Sequence, residues 1–468
     1  MVNTQTFEFK KNIPLMAVLL SGAFITILNQ TLLATALPPI MKDLQVTEST
    51  VQWLQSIFML VNGIMIPITA FLIGKFTTRK LFITAMSIFA FGTLIAAVSP
   101  NFVFLLFGRV FQGAGAGIMM PLLQTIMFLL FPIEQRGKAM GMYGLVIAFG
   151  PAIGPSLSGY LVDHFAWKSV FYVVLPIAFV IIIAAFFFLK NVTELTNPKM
   201  DYWSIVLSTL GFGGLLYGFS IAGNTGWLHV NVGISIIVGA ISLFLFIQRQ
   251  LKLKEPILEF RVFKYLVFTL ATGLGMIVFA SMIATTVILP IFMQNLLGFN
   301  AFHSGLMLLP GAIVMGIMNP VTGTLFDKFG AKWLLRTGFV ILTVTTFMFA
   351  NLSQETTFTY LAVLNAVRML GIAMVMMPST TLGLNQLPNH LIAHGTAMNN
   401  TFRQISGAVG TAVLVAITVT AAAGDESVSG AIHGVNVAFH VAGYIAFFGL
   451  LLSFTIRDSK KKQRSTIV

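Results

Sequence analysis

GTLFDKFGAKWLL, residues 323 to 335, repeats a pattern that AFLIGKFTTRKLF, residues 70 to 82, sets 253 residues earlier. Each copy ends a long apolar run, turns through a few basic residues and opens the next apolar run. Two further echoes keep the same order. GAGAGIMMP, ending at Pro121, returns as LGIAMVMMP, ending at Pro378, and GPAIG at 150–154 returns as GAVG at 407–410. Three echoes in one order predict a duplicated unit.

The composition says what the unit is made of. Of 468 residues, 57% are hydrophobic, 9% are charged and 44 are Phe, a balance that belongs to polytopic membrane proteins and not to soluble domains. Uncharged runs of spanning length lie near 13–37, 50–73, 81–98, 101–131, 139–161, 170–189, 203–222, 230–248, 266–297, 304–325, 334–351, 358–384, 404–423 and 435–456. The predicted fold is therefore all-α, with 14 transmembrane helices arranged as two six-helix bundles plus a two-helix insert. The expected divisions are an N-tail over 1–12, an N-terminal bundle over 13–190, an insert with its flanking loops over 191–263, a C-terminal bundle over 264–457 and a basic tail over 458–468.

With the N-terminus inside, 23 of the 27 Lys and Arg fall on one face, Arg403 counted among them; Lys42 and Lys168 lie opposite, and Arg109 and Arg368 lie within spans. The net charge of +13 then reads as membrane topology and attraction to anionic lipid headgroups, which leaves no nucleic-acid partner to expect. The first run is too long for the apolar core of a signal peptide and reads as a retained span. The absence of cysteine excludes disulfides and thiol chemistry. No metal-ligand spacing and no buried catalytic pair is visible, so neither an enzyme nor a cofactor is expected. The glycines of FQGAGAG, residues 111–117, follow no strand, and close helix packing explains them better than phosphate binding.

Several motifs resemble those of the major facilitator superfamily, and in particular its fourteen-span drug:proton antiporters of the EmrB/QacA type, with a lincomycin-exporter-like flavour. Gly323, Leu325, Asp327, Lys328, Gly330 and Lys332 match the family's loop motif G-x-L-x-D-R/K-x-G-R/K, whereas the first copy carries Ala70, Gly74 and Thr77 where Gly, Asp and Gly are usual. The expected role of Asp327 is a charge–dipole latch at the N-terminus of the following helix. Arg109, Gln112, Gly113 and Gly115 resemble R-x-x-Q-G-x-G, and Gly150, Pro151 and Gly154, followed by Pro155, resemble the antiporter motif that seals the halves against leak. Thr31, Ala36, Leu37 and Pro38 match the first-span motif, with Asn29 at its acidic position.

The resemblance implies a multi-pass protein of the bacterial cytoplasmic membrane with both termini cytoplasmic. It would work as a monomer, exporting hydrophobic or amphipathic, often cationic, drug-like compounds in exchange for protons. Export of an endogenous metabolite, lipid or siderophore is the alternative cargo. Asn29, Gln30, Thr31, Gln52, Gln55, Asn62, Arg109, Gln112 and Gln124 are expected along the pathway, because amides facing lipid would be left unsatisfied. Every carboxylate falls in a loop, a tail or a span end, so coupling must use an acid at a span end. The candidates are Asp43, Glu48 and, favoured for its neighbour His164, Asp163, with Arg109 as the cation that senses the proton.

Overall fold

A computed structural model describes residues 9–196, 198–422 and 427–456. Both expected tails lie largely outside these residues. Fourteen long helices account for nearly all of them: α1 (Phe9–Asp43), α2 (Glu48–Lys75), α3 (Thr78–Ala97), α4 (Phe102–Leu130), α5 (Arg136–His164), α6 (Ser169–Phe188), α7 (Tyr202–Thr225), α8 (Val230–Lys252), α9 (Leu266–Asn295), α10 (Ala301–Phe329), α11 (Lys332–Phe349), α12 (Phe358–Leu384), α13 (Ile392–Ala422) and α14 (Val428–Thr455). Each is long and apolar enough to cross a bilayer. Residues 9–12, expected in the N-tail, already belong to α1.

Local chemistry sets the helix ends. Thr47, Thr77, Asn101, Asn300 and Thr357 cap α2, α3, α4, α10 and α12 by accepting a backbone N–H in the first turn. Gly330 ends α10 at φ 83°, a left-handed conformation that costs a glycine little. The loop motif's last glycine is therefore a helix terminator.

Small residues set the packing. In FQGAGAG the backbone of α4 touches two neighbours at once: a Cβ on Gly113 would stand 2.7 Å from the Phe58 carbonyl oxygen of α2, and one on Gly115 would stand 2.6 Å from that of Ala85 on α3. The outer surface is apolar, with Phe107, Phe187, Ile237, Ile241 and Phe244 exposed, as lipid contact requires.

Helices α1–α6 form one bundle and α9–α14 the other, while α8 pairs with α7 and α7 leans on α2 and α13. The Trp53 and Tyr217 rings stack at 5.6 Å between α2 and α7, and a Cβ on Gly63 would strike Leu216. The two insert helices are pinned to each other at their base by Arg249, which holds Asp201 at 2.6 Å; that bond also holds the Asp201 carboxyl below the usual range.

Arg403 corrects the charge map drawn from the sequence. It does not sit on the basic face but eleven residues into α13, 3% exposed. Asn399, Asn400 and Arg403 interrupt the apolar run, so a reading based on uncharged stretches starts this span at 404 although the helix begins at Ile392.

Candidate functional site: a polar interior and a latched seam

Within the first bundle, the sequence-predicted residues Asn29, Arg109 and Gln112 come together in one fully buried network. Arg109 donates from Nε to the Leu54 carbonyl at 3.0 Å and from one terminal nitrogen to Gln112 Oε1 at 2.7 Å, and its guanidinium lies 4.3 Å from the Phe58 ring centroid. Gln112 in turn donates to Thr93 on α3 at 3.0 Å and to Asn29 Oδ1 at 3.5 Å. These three residues fill the bundle's inside and do not form an open wall. The reason is chemical: a buried guanidinium needs acceptors, which α2 supplies through the Leu54 carbonyl and α4 through Gln112, and Gln112 in turn is held by α1 and α3.

The second bundle repeats the device. Arg368 on α12 donates to the Ser281 carbonyl at 2.9 Å and hydroxyl at 2.6 Å on α9, and to Thr346 on α11 at 3.4 Å. Thr346 stands 253 residues after Thr93, at the offset of the loop repeat. Gln30, Thr31, Gln52, Gln55 and Asn62 are half-buried along α1 and α2, with Thr31 bonded to the Gly150 carbonyl at 3.2 Å.

That bond relocates the antiporter motif. Side chains added at Gly150 or Gly154 would overlap Ile27 or Thr31 of α1, so this stretch of α5 presses on its own bundle. Across to the other bundle, its neighbour Phe149 fills the space beside Gly316 of α10. Pro151 and Pro155 lie inside the continuous helix α5.

The bundles meet at the end that carries the basic loops. Asp327 accepts from the backbone N–H groups of Gly137 and Lys138, each at 2.8 Å, at the start of α5. The latch is therefore thrown across the seam onto the opposite bundle, and not onto the following helix α11. Sequence reading cannot find a partner 190 residues away. Gly323 packs against the backbone of Gly137 so closely that a Cβ would overlap its carbonyl oxygen. Asn319 donates to the Gly144 carbonyl at 2.8 Å. On the other side of the seam Thr125 pairs with Thr396 at 2.6 Å, Gln124 accepts from Asn400, and Arg136 donates to Asn385 at 3.1 Å. Lys328 and Lys332 stay exposed.

The expected proton-coupling acids lie at the far ends. Asp43 accepts from the Trp167 indole at 2.8 Å, joining the end of α1 to the start of α6. Asp163 is exposed, and its neighbour His164 turns toward the Tyr160 carbonyl and stacks on the Tyr160 ring. The Glu48 side chain lies outside the described residues. Three arginines (Arg109, Arg368 and Arg403) are buried, and among the described residues no carboxylate stands in the middle of a span. The buried Glu259 lies between α8 and α9 and pairs with Arg261, so among the described residues no acid in the middle of a span faces the expected cationic cargo. Arg403, Tyr143, Asn319 and Thr380 were not singled out from sequence. Single polar residues in apolar runs gave no signal of which helix face they occupy.

Similarity to known proteins agrees with this architecture. The family described as Major Facilitator Superfamily matches residues 19–411. The chain is 56% identical to the "Uncharacterized MFS-type transporter YcnB" of Bacillus subtilis, over 96% of this chain and 95% of that one. It is 42% identical to the "Lincomycin resistance protein LmrB" of Listeria monocytogenes, over 96% and 97%. Among solved structures, the human organic anion transporter MFSD10 superposes with a TM-score of 0.69 at 13% identity, over 94% of this chain and 99% of that one, a likeness that speaks for the fold alone. With this match over most of its length, two bundles related by an internal repeat and a two-helix insert between them, the chain belongs to the Major Facilitator Superfamily, in its fourteen-span, lincomycin-exporter-like branch.

Proposed function

We propose that the chain exports hydrophobic or amphipathic, drug-like compounds across the bacterial cytoplasmic membrane in exchange for protons, with the basic face and both termini in the cytoplasm. The observation that carries this reading is the seam at the basic face. It is closed by a carboxylate on a helix N-terminus, a few hydroxyl and amide pairs and glycine contacts, all reversible without unfolding either bundle. Such a gate admits cargo from the basic side when it opens and withholds it when it closes. The 42% identity to a lincomycin resistance protein supports drug-like cargo.

Protons are proposed to enter through the acids at the face opposite the basic loops. Asp43 is the best-placed of these, because protonating it weakens the bond to Trp167 and so loosens α1 from α6. Arg109 then acts as the fixed buried charge that senses the rearrangement. The experiment is transport in proteoliposomes with an imposed proton gradient. Cargo movement should follow the gradient and release protons, and Asp43→Asn should uncouple the two. Transport indifferent to the gradient would refute the antiport reading, and normal coupling in Asp43→Asn, Glu48→Gln and Asp163→Asn alike would refute the placement of the proton site.

A further inference from the structure

Of the three buried arginines, only Arg403 is left unexplained by the internal repeat. Arg109 and Arg368 are quasi-equivalent, each leaving one terminal nitrogen unmatched inside its own bundle, whereas Arg403 has no such counterpart. The repeat offset in α5 and α13, fixed by Gly150 and Gly407, puts Val146 where the first bundle would carry a counterpart to Arg403. The guanidinium is spent only in part. One terminal nitrogen donates to the Met376 carbonyl at 3.0 Å and to Thr380 Oγ1 at 2.5 Å, both on α12, while Nε has no hydrogen-bond partner. On its α9 side stands Gly275, where even an added Cβ would keep 3.6 Å from Nε.

The opposite bundle offers a second unmatched donor. Tyr143 on α5 is fully buried, its hydroxyl has no partner, and the next residue, Gly144, abuts Met377 of α12, beside the Met376 whose carbonyl Arg403 holds. The Gln124 amide nitrogen nearby in the seam layer is unmatched as well. Seven residues into α5 and eleven into α13, the pair lies roughly 10–16 Å from the basic face at about 1.5 Å per residue. That depth lies beyond the layer where Thr125 meets Thr396 and begins where Gln124 meets Asn400. Among the described residues no carboxylate lies at this depth, so the chain itself does not neutralise the charge. A buried cation with surplus donors beside it is the complement of an anion.

We propose that Arg403 and Tyr143 form a binding site for a carboxylate on the exported compound, a site that rests on the export reading and names the chemical class of its cargo. The two donors belong to different bundles. A carboxylate entering from the basic side while the seam is open passes Tyr143 and is held by Arg403 beyond it, and drawing Tyr143 onto its second oxygen brings α5 toward α13. Loading the cargo thereby favours closing the gate behind it.

The test compares two probes that differ by one group, a rhodamine with a free carboxylate and its ethyl ester. Binding to the purified full chain is read by fluorescence anisotropy in gluconate buffer and again in chloride. The free acid should bind roughly tenfold more tightly than the ester, as expected when buried donors lose their partner. In Arg403→Gln and in Tyr143→Phe the acid-to-ester ratio should fall to near one, and Arg403→Lys should retain part of it. Monodispersity on gel filtration checks folding, and Tyr143→Phe, which removes a single oxygen, carries the test if Arg403→Gln does not fold. Equal affinity for acid and ester in the native chain overturns the proposal. So does a preference that survives both substitutions, or a site that binds chloride while showing no preference for the acid. A chain that prefers the acid yet moves neither dye in proteoliposomes breaks the export reading and leaves the site standing.

Discussion

The bundles meet along two seams built on different principles. Where α5 meets α10, backbone lies on backbone: Gly137 against Gly323, Gly141 against Asn319 and Pro320, with Asp327 fixed on the α5 N-terminus. Where α2 and α4 meet α13, the contact runs through side chains, Thr125 to Thr396 and Gln124 to Asn400, and α7 leans on both sides from without. Backbone contact tolerates no added atom, whereas side-chain contact can be traded for another pair. The first seam therefore fixes the distance between the bundles, and the second adjusts to it.

The sharpest way to break this contrast is to add bulk at the first seam. Gly323→Val should leave the chain helical and in the membrane, yet cut transport by at least roughly tenfold, because the side chain overlaps the Gly137 carbonyl. The native chain has no cysteine, so cysteines placed at 125 and 396 report closure of the second seam against no background. They should cross-link readily in the native sequence and poorly with Gly323→Val. Unchanged cross-linking would mean that the two seams move independently.

A smaller effect should follow from the latch. Asp327→Asn keeps the shape but loses the charge that two N–H groups and a helix N-terminus favour, a change of about 1–2 kcal/mol, or near tenfold in the closing equilibrium. Transport should slow more than cargo binding weakens. If both fall together, general destabilisation is the better account.

The smallest effect belongs to the insert. Asp201 is partly exposed, so breaking its pair with Arg249 by Asp201→Asn should cost well under about 1 kcal/mol of thermal stability. Its carboxyl is depressed by the hydrogen bond to Arg249, so the contribution is present above the unfolded value of about 4 and is lost as pH falls through the lower folded value. Melting curves of the native and Asp201→Asn chains should converge only in that acidic range. A difference that disappears already near neutral pH would assign the stabilisation to another group.

Much of the architecture could be read from the chain because lipid imposes a simple rule. A run without charge that is long enough must span, and each of the fourteen runs falls on one of the helices, twelve of them with both ends within about six residues. The run over 404–423 failed at Arg403, where a buried charge imitates a loop. The site was legible in its residue types but not in its partners. Gln112 finds Thr93 and Asn29, and Asp327 finds Gly137, through contacts between helices that neither spacing nor periodicity encodes. Gly74 shows the same limit from the other side. It stands where the second copy has Asp327, and its carbonyl accepts from Thr196, so the first loop holds the linker to the insert where the second holds the seam.

Two helices, α7 and α8, cross and return, so the chain re-enters the second bundle on the side where it left the first. Each bundle is also an even number of crossings, which is why both copies of the repeated loop open on one face. Parity therefore makes the hairpin a separable module. Removing it whole and joining the bundles by a flexible linker preserves the orientation of everything downstream, while deleting either helix alone would invert the second bundle and carry Asp327 to the wrong side of the membrane.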